Sequence, residues 1–151
     1  MLWIGGHTIG IAHCSLFKDR LYNFNNTGKP DPSMIFSLLT SLRRTCPQSS
    51  NVDRTANLDQ NPFSSQVVDK SFYTQIMMRR GVLQIDQQLA LDSLSKSTVA
   101  TIVGSSDFTT RFGQAMVKLG VVQVLTGTQG EIRKSCRSIN RRSLSSLLIN
   151  R

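Results

Sequence analysis

One histidine near the start of the chain lies in a segment that could bind a metal. His7 follows Gly5-Gly6 and precedes Thr8-Ile9-Gly10. Neutral imidazole is a common ligand for haem iron and other metals, and a ligating histidine usually donates its second ring N–H to a carboxylate or carbonyl. Asp86 has apolar neighbours in Leu83-Gln84-Ile85-Asp86, which makes it a candidate for a buried, paired acid. A hydrogen-bonded structural histidine is the alternative interpretation of His7.

A long polar stretch lies near two further acids. Ser, Asn, Asp, Gln and Pro dominate residues 47–68. A structureless loop of this length is unusual in a compact domain and normally wraps or binds something. Asp59 lies within the stretch and Asp69 directly follows it. Taken alone, Asp59 is a turn acid and Asp69 is the N-cap of a following helix.

The cysteine count is odd. Cys14, Cys46 and Cys136 show no zinc-ligand spacing. In an oxidising compartment the count indicates one disulfide and one orphan thiol, whereas in a reducing one it indicates three ordinary buried thiols. Asn25-Asn26-Thr27 is an N-glycosylation sequon with Asn25 as the acceptor. The sequon favours an oxidising, secretory history.

The chain is strongly basic, with 18 Lys and Arg against 9 Asp and Glu and a net charge of +9. This excess suits nucleic acid, an acidic polysaccharide or a membrane surface, and a solvated basic tail is the simpler account. No nucleic-acid reader motif is recognisable, no run of about 18 apolar residues could span a membrane, and the N-terminus does not read as a signal peptide. The basic residues of the last 20 positions are Arg133, Lys134, Arg137, Arg141, Arg142 and Arg151.

Apolar periodicity predicts a mostly α fold on a chain of 151 residues, the length of one domain. Three-four spacing predicts a first helix over residues 6–21. Asp31 as N-cap and Pro32 at the first helical position predict the start of a second helix. Pro47 is expected to end that helical region.

The second half of the chain repeats the helical pattern. Asp69 predicts the start of a third helix that Gly81 closes, and Asp86 follows in a short segment. Two later helices are predicted to end at Gly104 and Gly120, the second carrying Phe108 and Phe112 on its apolar face. Residues 121–125 are the only strand-like run.

Several motifs, in one order along the chain, resemble the secreted plant haem peroxidases of class III, specifically their C-terminal, proximal half. The resemblance spans residues 4–142. The matching segments are Gly6-His7-Thr8-Ile9-Gly10 with Cys14, Asp19-Arg20-Leu21-Tyr22-Asn23-Phe24, Thr27-Gly28-Lys29-Pro30-Asp31-Pro32, Leu42-Arg43, Cys46-Pro47, Leu83-Gln84-Ile85-Asp86, and residues 125–133 with Cys136.

This resemblance implies a partial plant haem-peroxidase fold, the proximal helical domain without the distal half, with haem b as cofactor. His7 is implied to be the axial ligand to the haem iron, and Asp86 is implied to hydrogen-bond its other ring nitrogen. That bond would push the imidazole toward imidazolate character, and the added electron donation stabilises oxidised iron. Leu58 resembles a position near the proximal haem face, and a core leucine is an equally good account of it.

The resemblance also implies a proximal calcium site. Ca²⁺ takes about six to eight oxygen ligands at about 2.3–2.6 Å. The long polar loop departs from the family pattern, because Asn61-Pro62 replaces the usual Thr-Pro in a loop of altered length. Asn61 and Ser65 therefore stay open as alternatives to Ser64. The implied ligands are Thr8, Asp59, Ser64, the Val67 carbonyl and Asp69.

The cysteines are also interpreted through the resemblance. Cys14 and Cys46 resemble a family disulfide, which would contribute roughly 3.5 kcal/mol by chain-entropy reasoning. Cys136 resembles a cysteine whose usual partner lies far upstream. We expect no such partner in this chain, which accounts for the odd count.

The implied activity is that of a haem peroxidase that oxidises phenolic donors with hydrogen peroxide, removes hydrogen peroxide and responds to oxidative stress. We expect an extracellular monomer, as is usual in the family. Splitting the O–O bond needs a base and a cation, which in this family are a distal His and Arg. No segment here resembles the one that carries them, so no catalytic residue is assigned. We expect a truncated product with a proximal domain over residues 1–142, a basic tail over 143–151, weak haem binding and little turnover.

Two other functions stay open. A non-catalytic haem- or calcium-binding fragment would show calcium-dependent stabilisation without turnover. A basic module for an acidic polysaccharide would bind polyanions with a steep salt dependence and would not respond to haem.

Overall fold

The computed structural model describes residues 2–140, with side chains from residue 4 onward. The chain divides into two compact units, Met1–Leu119 and Gly120–Arg151. The basic tail predicted over residues 143–151 lies outside the described residues. In the described part, no helix is long and apolar enough to cross a membrane.

Helices dominate the described residues, which confirms the mostly α prediction. Three short 3-10 helices cover Leu2–Thr8, Cys14–Leu16 and Phe24–Asn26. The strands β1 (Ile11–His13) and β2 (Thr55–Asn57) form one antiparallel pair in which Ala12 lies opposite Ala56. The α-helices are α1 (Lys18–Tyr22), α2 (Phe36–Thr45), α3 (Ser71–Met77), α4 (Gln84–Leu91), α5 (Lys96–Gly104) and α6 (Phe108–Gly120).

The continuous helix predicted over residues 6–21 is wrong. A 3-10 helix ends at Thr8, and Gly10 then takes φ +118°, a conformation that L side chains rarely adopt. The chain continues as β1, which pairs with β2 from the long polar loop. This tertiary pairing overrides the local three-four spacing. It also shows that the polar stretch 47–68 contains a strand.

The second helix begins later than predicted. Asp31 does not cap it, because its Oδ1 accepts a hydrogen bond from the backbone N–H of Ser33 in a turn (2.7 Å), and α2 starts at Phe36. The apolar stripe was correctly predicted, since Leu38, Leu39 and Leu42 are all buried.

The helices of the second half follow the predictions more closely. Helix α3 begins at Ser71 with Lys70 rather than the predicted Asp69 as its N-cap, and it ends at Met77 rather than at Gly81. Asp86 lies inside α4, a full helix where only a short segment was expected. Helices α5 and α6 end at Gly104 and Gly120 as predicted.

Two apolar clusters hold the first unit together. One lies around β1, α1 and α2 and includes Phe17, Leu38 and the Cys14–Cys46 disulfide, whose Cα atoms are 5.6 Å apart. The other joins α3 to α5 and includes Phe72, Tyr73 and Phe108. Helix α3 packs against α4, α5 and the 3-10 helix Leu2–Thr8. These contacts bring the start of the chain to the start of α4.

Residues 121–140 of the second unit form turns and irregular segments, with an isolated bridge between Ser135 and Ser138. The strand-like run 121–125 is not a strand, and its residues are exposed. Cys136 is a free, exposed cysteine.

Candidate functional site

His7 and Asp86 meet although 79 positions separate them. His7 Nδ1 lies 2.9 Å from Asp86 Oδ1. The Asp86 side chain is fully buried, whereas that of His7 keeps 36% of its surface exposed. When Nδ1 donates its proton to the carboxylate, the lone pair remains on Nε2, and that nitrogen can ligate a metal. The carboxylate of the pair is therefore buried, whereas the imidazole remains partly accessible.

The hydrogen bond from His7 to Asp86 raises the pKa of His7, and burial opposes this shift. An anionic carboxylate stabilises the imidazolium, so the proton is held more tightly than on a free ring. The same bond makes the neutral ring more electron-rich, which strengthens a histidine ligand.

Aromatic packing fixes the segment that carries His7. The His7 ring meets Phe72 edge-on, with centroids 5.9 Å apart. The backbone N–H of Gly5 hydrogen-bonds the Tyr73 hydroxyl, and a Cβ on Gly5 would lie 3.2 Å from that oxygen and 3.2 Å from Phe112. Burial, with a further contribution from the charge of Asp86, raises the pKa of Tyr73 to about 12, so Tyr73 stays a neutral partner.

Helix α4 carries Asp86 in its first turn. The Oδ2 atom of Asp86 is buried and has no hydrogen-bond partner among the described residues. A buried carboxylate oxygen without a partner is costly, because its lost hydration is not replaced. Such an unpartnered oxygen calls for an explanation and makes Asp86 a candidate functional acid.

A second group of oxygen atoms lies beside His7. The Thr8 hydroxyl is fully buried, 2.9 Å from the Val67 carbonyl and 3.4 Å from Asp69 Oδ1. One hydroxyl, one carbonyl and one carboxylate thus converge from two segments about 60 positions apart. These are the hard oxygen donors that Ca²⁺ prefers.

Asp59 adds a second carboxylate close to this group. Ser71 links the two acids, since its N–H donates to Asp69 Oδ1 (2.8 Å) and its hydroxyl to Asp59 Oδ1 (3.4 Å). Asp59 is 1% exposed and its Oδ2 has no partner among the described residues. Burial and the charge of Asp69 raise the pKa of Asp59, against hydrogen bonds from Asn61 and Ser71. This environment suits a cation.

Hydroxyl groups near the candidate calcium site already take part in hydrogen bonds with a neighbouring side chain. The Asn61 amide donates to the hydroxyls of Ser64 (2.9 Å) and Ser71 (3.0 Å). The choice among Asn61, Ser64 and Ser65 as a calcium ligand therefore stays a prediction. Among residues 2–140, no three His, Cys, Asp or Glu side chains are grouped to hold a metal. The candidate calcium set contains only two acids, so its other oxygens come from hydroxyl and carbonyl groups.

Three other residues considered from the sequence are not part of the His7–Asp86 pair. His13 is exposed, 3.4 Å from Asp53. Asn25 is exposed in the 3-10 helix Phe24–Asn26, where it takes φ 51°. Leu58 is buried in the cluster around β1 and α2. Two buried residues that the sequence analysis did not select, Arg20 and Gln87, hold the connection before α4.

Comparison with known proteins identifies the family. The family model described as Peroxidase matches residues 1–105. The chain belongs to the peroxidase family. It is 55% identical over 139 residues to Peroxidase 60 and 49% identical over 138 residues to Peroxidase 57, both of Arabidopsis thaliana. It is also 41% identical over 141 residues to Peroxidase N1 of Nicotiana tabacum.

Each of these matches covers about nine tenths of this peroxidase-family chain, at 91%, 91% and 90%, but only 42% of the relative. The resemblance to plant peroxidases of class III, inferred from motifs, is confirmed. The chain thus corresponds to about two fifths of the length of these curated relatives.

Proposed function

We propose that this chain provides the proximal, haem-binding side of a plant peroxidase that oxidises small phenolic donors with hydrogen peroxide. The observation that carries the proposal is the 2.9 Å contact between His7 Nδ1 and the buried Asp86 carboxylate. A buried acid on one ring nitrogen leaves the other as a strong metal ligand. Membership of the peroxidase family supports haem as the metal group.

In this proposal His7 Nε2 ligates the iron of haem b, and Asp86 keeps the ring in the Nδ1–H tautomer. When bound, haem supplies redox-active iron for the reduction of hydrogen peroxide by an organic donor. Asp86 orients the imidazole and increases its electron donation. Phe72 and Tyr73 pack the ring and its backbone in place.

A structural Ca²⁺ accompanies the haem side in the proposal. Its donors would be Thr8, Asp59, Asp69, the Val67 carbonyl and a loop hydroxyl, with Ser64 preferred. The buried Oδ2 of Asp59, which has no partner among the described residues, supports a cation there. Bound Ca²⁺ would offset the repulsion between the two carboxylates and tie Thr8, next to His7, to the polar loop.

The proposal also covers the setting of the protein. The Cys14–Cys46 disulfide and the exposed Asn25 sequon fit an extracellular, glycosylated protein. We propose a monomer acting on hydrogen peroxide and phenolic molecules, without a nucleic-acid partner.

Titration of haem into the refolded 151-residue chain with calcium tests the haem assignment. We compare the wild type with His7→Ala and with His13→Ala, a matched change of the exposed histidine. Absorption spectra are expected to show one haem-binding event that His7→Ala removes and His13→Ala keeps. Equal binding by both variants would mean that His7 is not the ligand.

Calcium is tested separately by thermal unfolding with and without Ca²⁺. We expect Ca²⁺ to raise the Tm of the wild type and of Asp53→Asn, an exposed control, but not of Asp59→Asn. Equal stabilisation of all three proteins would contradict the site. Stabilisation by Ca²⁺ without haem binding would favour a non-catalytic calcium-binding role.

A further inference from the structure

The connection between α3 and α4 is held by a buried glutamine. Gln87 is fully buried and lies next to Asp86 on α4. Its side-chain oxygen accepts a hydrogen bond from the backbone N–H of Gly81 (3.0 Å), and its amide donates to the Ile76 carbonyl (2.9 Å). One side chain therefore satisfies the end of α3 and the connection that follows it.

A buried arginine holds the same connection through its carbonyl groups. Arg20 Nη1 donates to the Gly81 carbonyl (2.8 Å) and to the Val82 carbonyl (2.6 Å). Its Nε pairs with Asp31 Oδ2 at 2.8 Å, and the guanidinium is almost fully buried. Backbone donors and acceptors at and around Gly81 are thus bound by two side chains, Gln87 from the following helix and Arg20 from a distant segment.

Close packing adds to these hydrogen bonds. A Cβ placed on Gly81 would lie 3.0 Å from the Gln87 backbone nitrogen and 3.1 Å from its Cα. Such contacts require the neighbour to move by a few tenths of an ångström. The connection therefore lies directly against the helix turn that carries Asp86, so any movement of one moves the other.

Asp86 has little else to orient it. Only its Oδ1 makes a hydrogen bond, to His7, and its Oδ2 has none among the described residues. The place of the carboxylate thus depends on where α4 begins. A hydrogen bond of 2.9 Å weakens steeply once the atoms separate beyond about 3.5 Å, so a small shift of α4 is enough to weaken it.

We propose that Gln87, assisted by Arg20, is a positioning residue that fixes the start of α4 and thereby aims Asp86 at His7. The positioning of Asp86 by Gln87 does not depend on metal binding. Only its consequence for a metal ligand at His7 rests on the proposed function. Gln87 acts through Asp86 and touches neither substrate nor cofactor.

Nitrogen NMR of the histidine rings tests the inference on the full chain without haem. The pH is set above the raised pKa of His7, where the ring is neutral, and the ¹⁵N shifts then show which ring nitrogen holds the proton. The His7 signals are assigned with His7→Ala. The wild-type ring is expected in the Nδ1–H tautomer, held by Asp86.

Gln87→Met keeps the length of the side chain and removes both hydrogen bonds. We expect it to lower the ratio of Nδ1–H to Nε2–H tautomer by about fivefold, the size of one weakened hydrogen bond. Gln88→Met is the matched control, because Gln88 is the exposed next residue on the same helix. It should leave the ratio unchanged.

Two further variants separate positioning from general loss of stability. Gly81→Ala inserts a Cβ against Gln87 and should shift the tautomer ratio in the same direction, even if Gln87→Met fails to fold. Ile102→Val removes a buried methyl group from α5 and should lower stability without changing the ratio.

An unchanged ratio in folded Gln87→Met and Gly81→Ala would overturn the inference, and so would an equal change in Ile102→Val. The readout needs no haem, so it is independent of the proposed function. A changed ratio in a chain that binds no haem would support the positioning role and contradict the haem assignment alone.

Discussion

The chain contains two histidine–aspartate pairs in different surroundings. His7 and Asp86 are 2.9 Å apart, and the acid is fully buried. His13 and Asp53 are 3.4 Å apart at the edge of β1, with side chains 58% and 47% exposed. Asp53 also accepts hydrogen bonds from the backbone N–H and the hydroxyl of Ser15, at 2.9 and 2.8 Å. The exposed acid has more partners, yet the buried one has the better setting for metal chemistry.

The difference shows that surroundings, rather than residue types, separate a candidate ligand from an ordinary surface pair. Water screens the charges of the exposed pair and can replace its partners. The Asp86 carboxylate is fully buried, so solvent screens its charge less and that charge acts more strongly on the neighbouring His7. Arg20 and Asp31 form a third pair, buried like Asp86 but with most of their hydrogen-bonding groups satisfied.

The largest predicted effect concerns this third pair. Arg20→Met leaves Asp31 as a buried charge without its partner and frees the Gly81 and Val82 carbonyls. We expect a loss of about 3–5 kcal/mol in the free energy of unfolding, measured by urea denaturation. The double variant Arg20→Met/Asp31→Leu should recover a large part of it. A loss below about 1 kcal/mol in Arg20→Met would show that burial does not control these pairs.

A smaller effect is predicted for the pH dependence of stability. The Asp86 hydrogen bond raises the pKa of His7 above its ordinary value of 6.5. The protonated pair therefore contributes its full stabilisation below pH 6.5, and this contribution is lost as the pH rises through the raised pKa. Urea denaturation over a pH series should show this decline in the wild type and a weaker one in Asp86→Asn. Identical declines in both proteins would contradict the role of the buried acid.

The smallest effect is predicted at the exposed pair. Hydrogen bonds from Ser15 lower the pKa of Asp53, but Asp53 and His13 remain open to solvent. We expect Asp53→Asn to leave the urea midpoint at pH 7 within replicate error, because solvent replaces the lost contacts. A midpoint shift as large as that of Arg20→Met would remove the distinction between the regions.

The sequence predicted the later helices well, because regular apolar spacing and glycine ends coincide there. Helices α5 and α6 end at the predicted Gly104 and Gly120. The first segment could not be predicted in the same way. Gly10 breaks the helical spacing with a positive φ, and β1 depends on a partner strand more than 40 positions later. Local periodicity carries no information about that pairing.

The candidate site was predictable in part. His7 and Asp86 were selected from the sequence, and the structure brings them into contact. Gln87 was not selected, because the sequence alone does not show which of Gln84, Gln87 and Gln88 faces inward. Only Gln87 is buried. The loop hydroxyl next to Asp59 also stayed undecided, because the altered length of the polar loop removed the register on which that choice depends.

The reduction potential of the haem-loaded chain tests the central claim, that the buried Asp86 makes His7 a strongly donating ligand. The measurement compares the wild type, Asp86→Asn and Asp53→Asn under the same calcium concentration. Loss of the buried charge weakens donation to oxidised iron, so Asp86→Asn should raise the midpoint potential by about 60 mV, a tenfold change in the redox equilibrium. Asp53→Asn should match the wild type. Equal potentials in the wild type and Asp86→Asn would contradict the account.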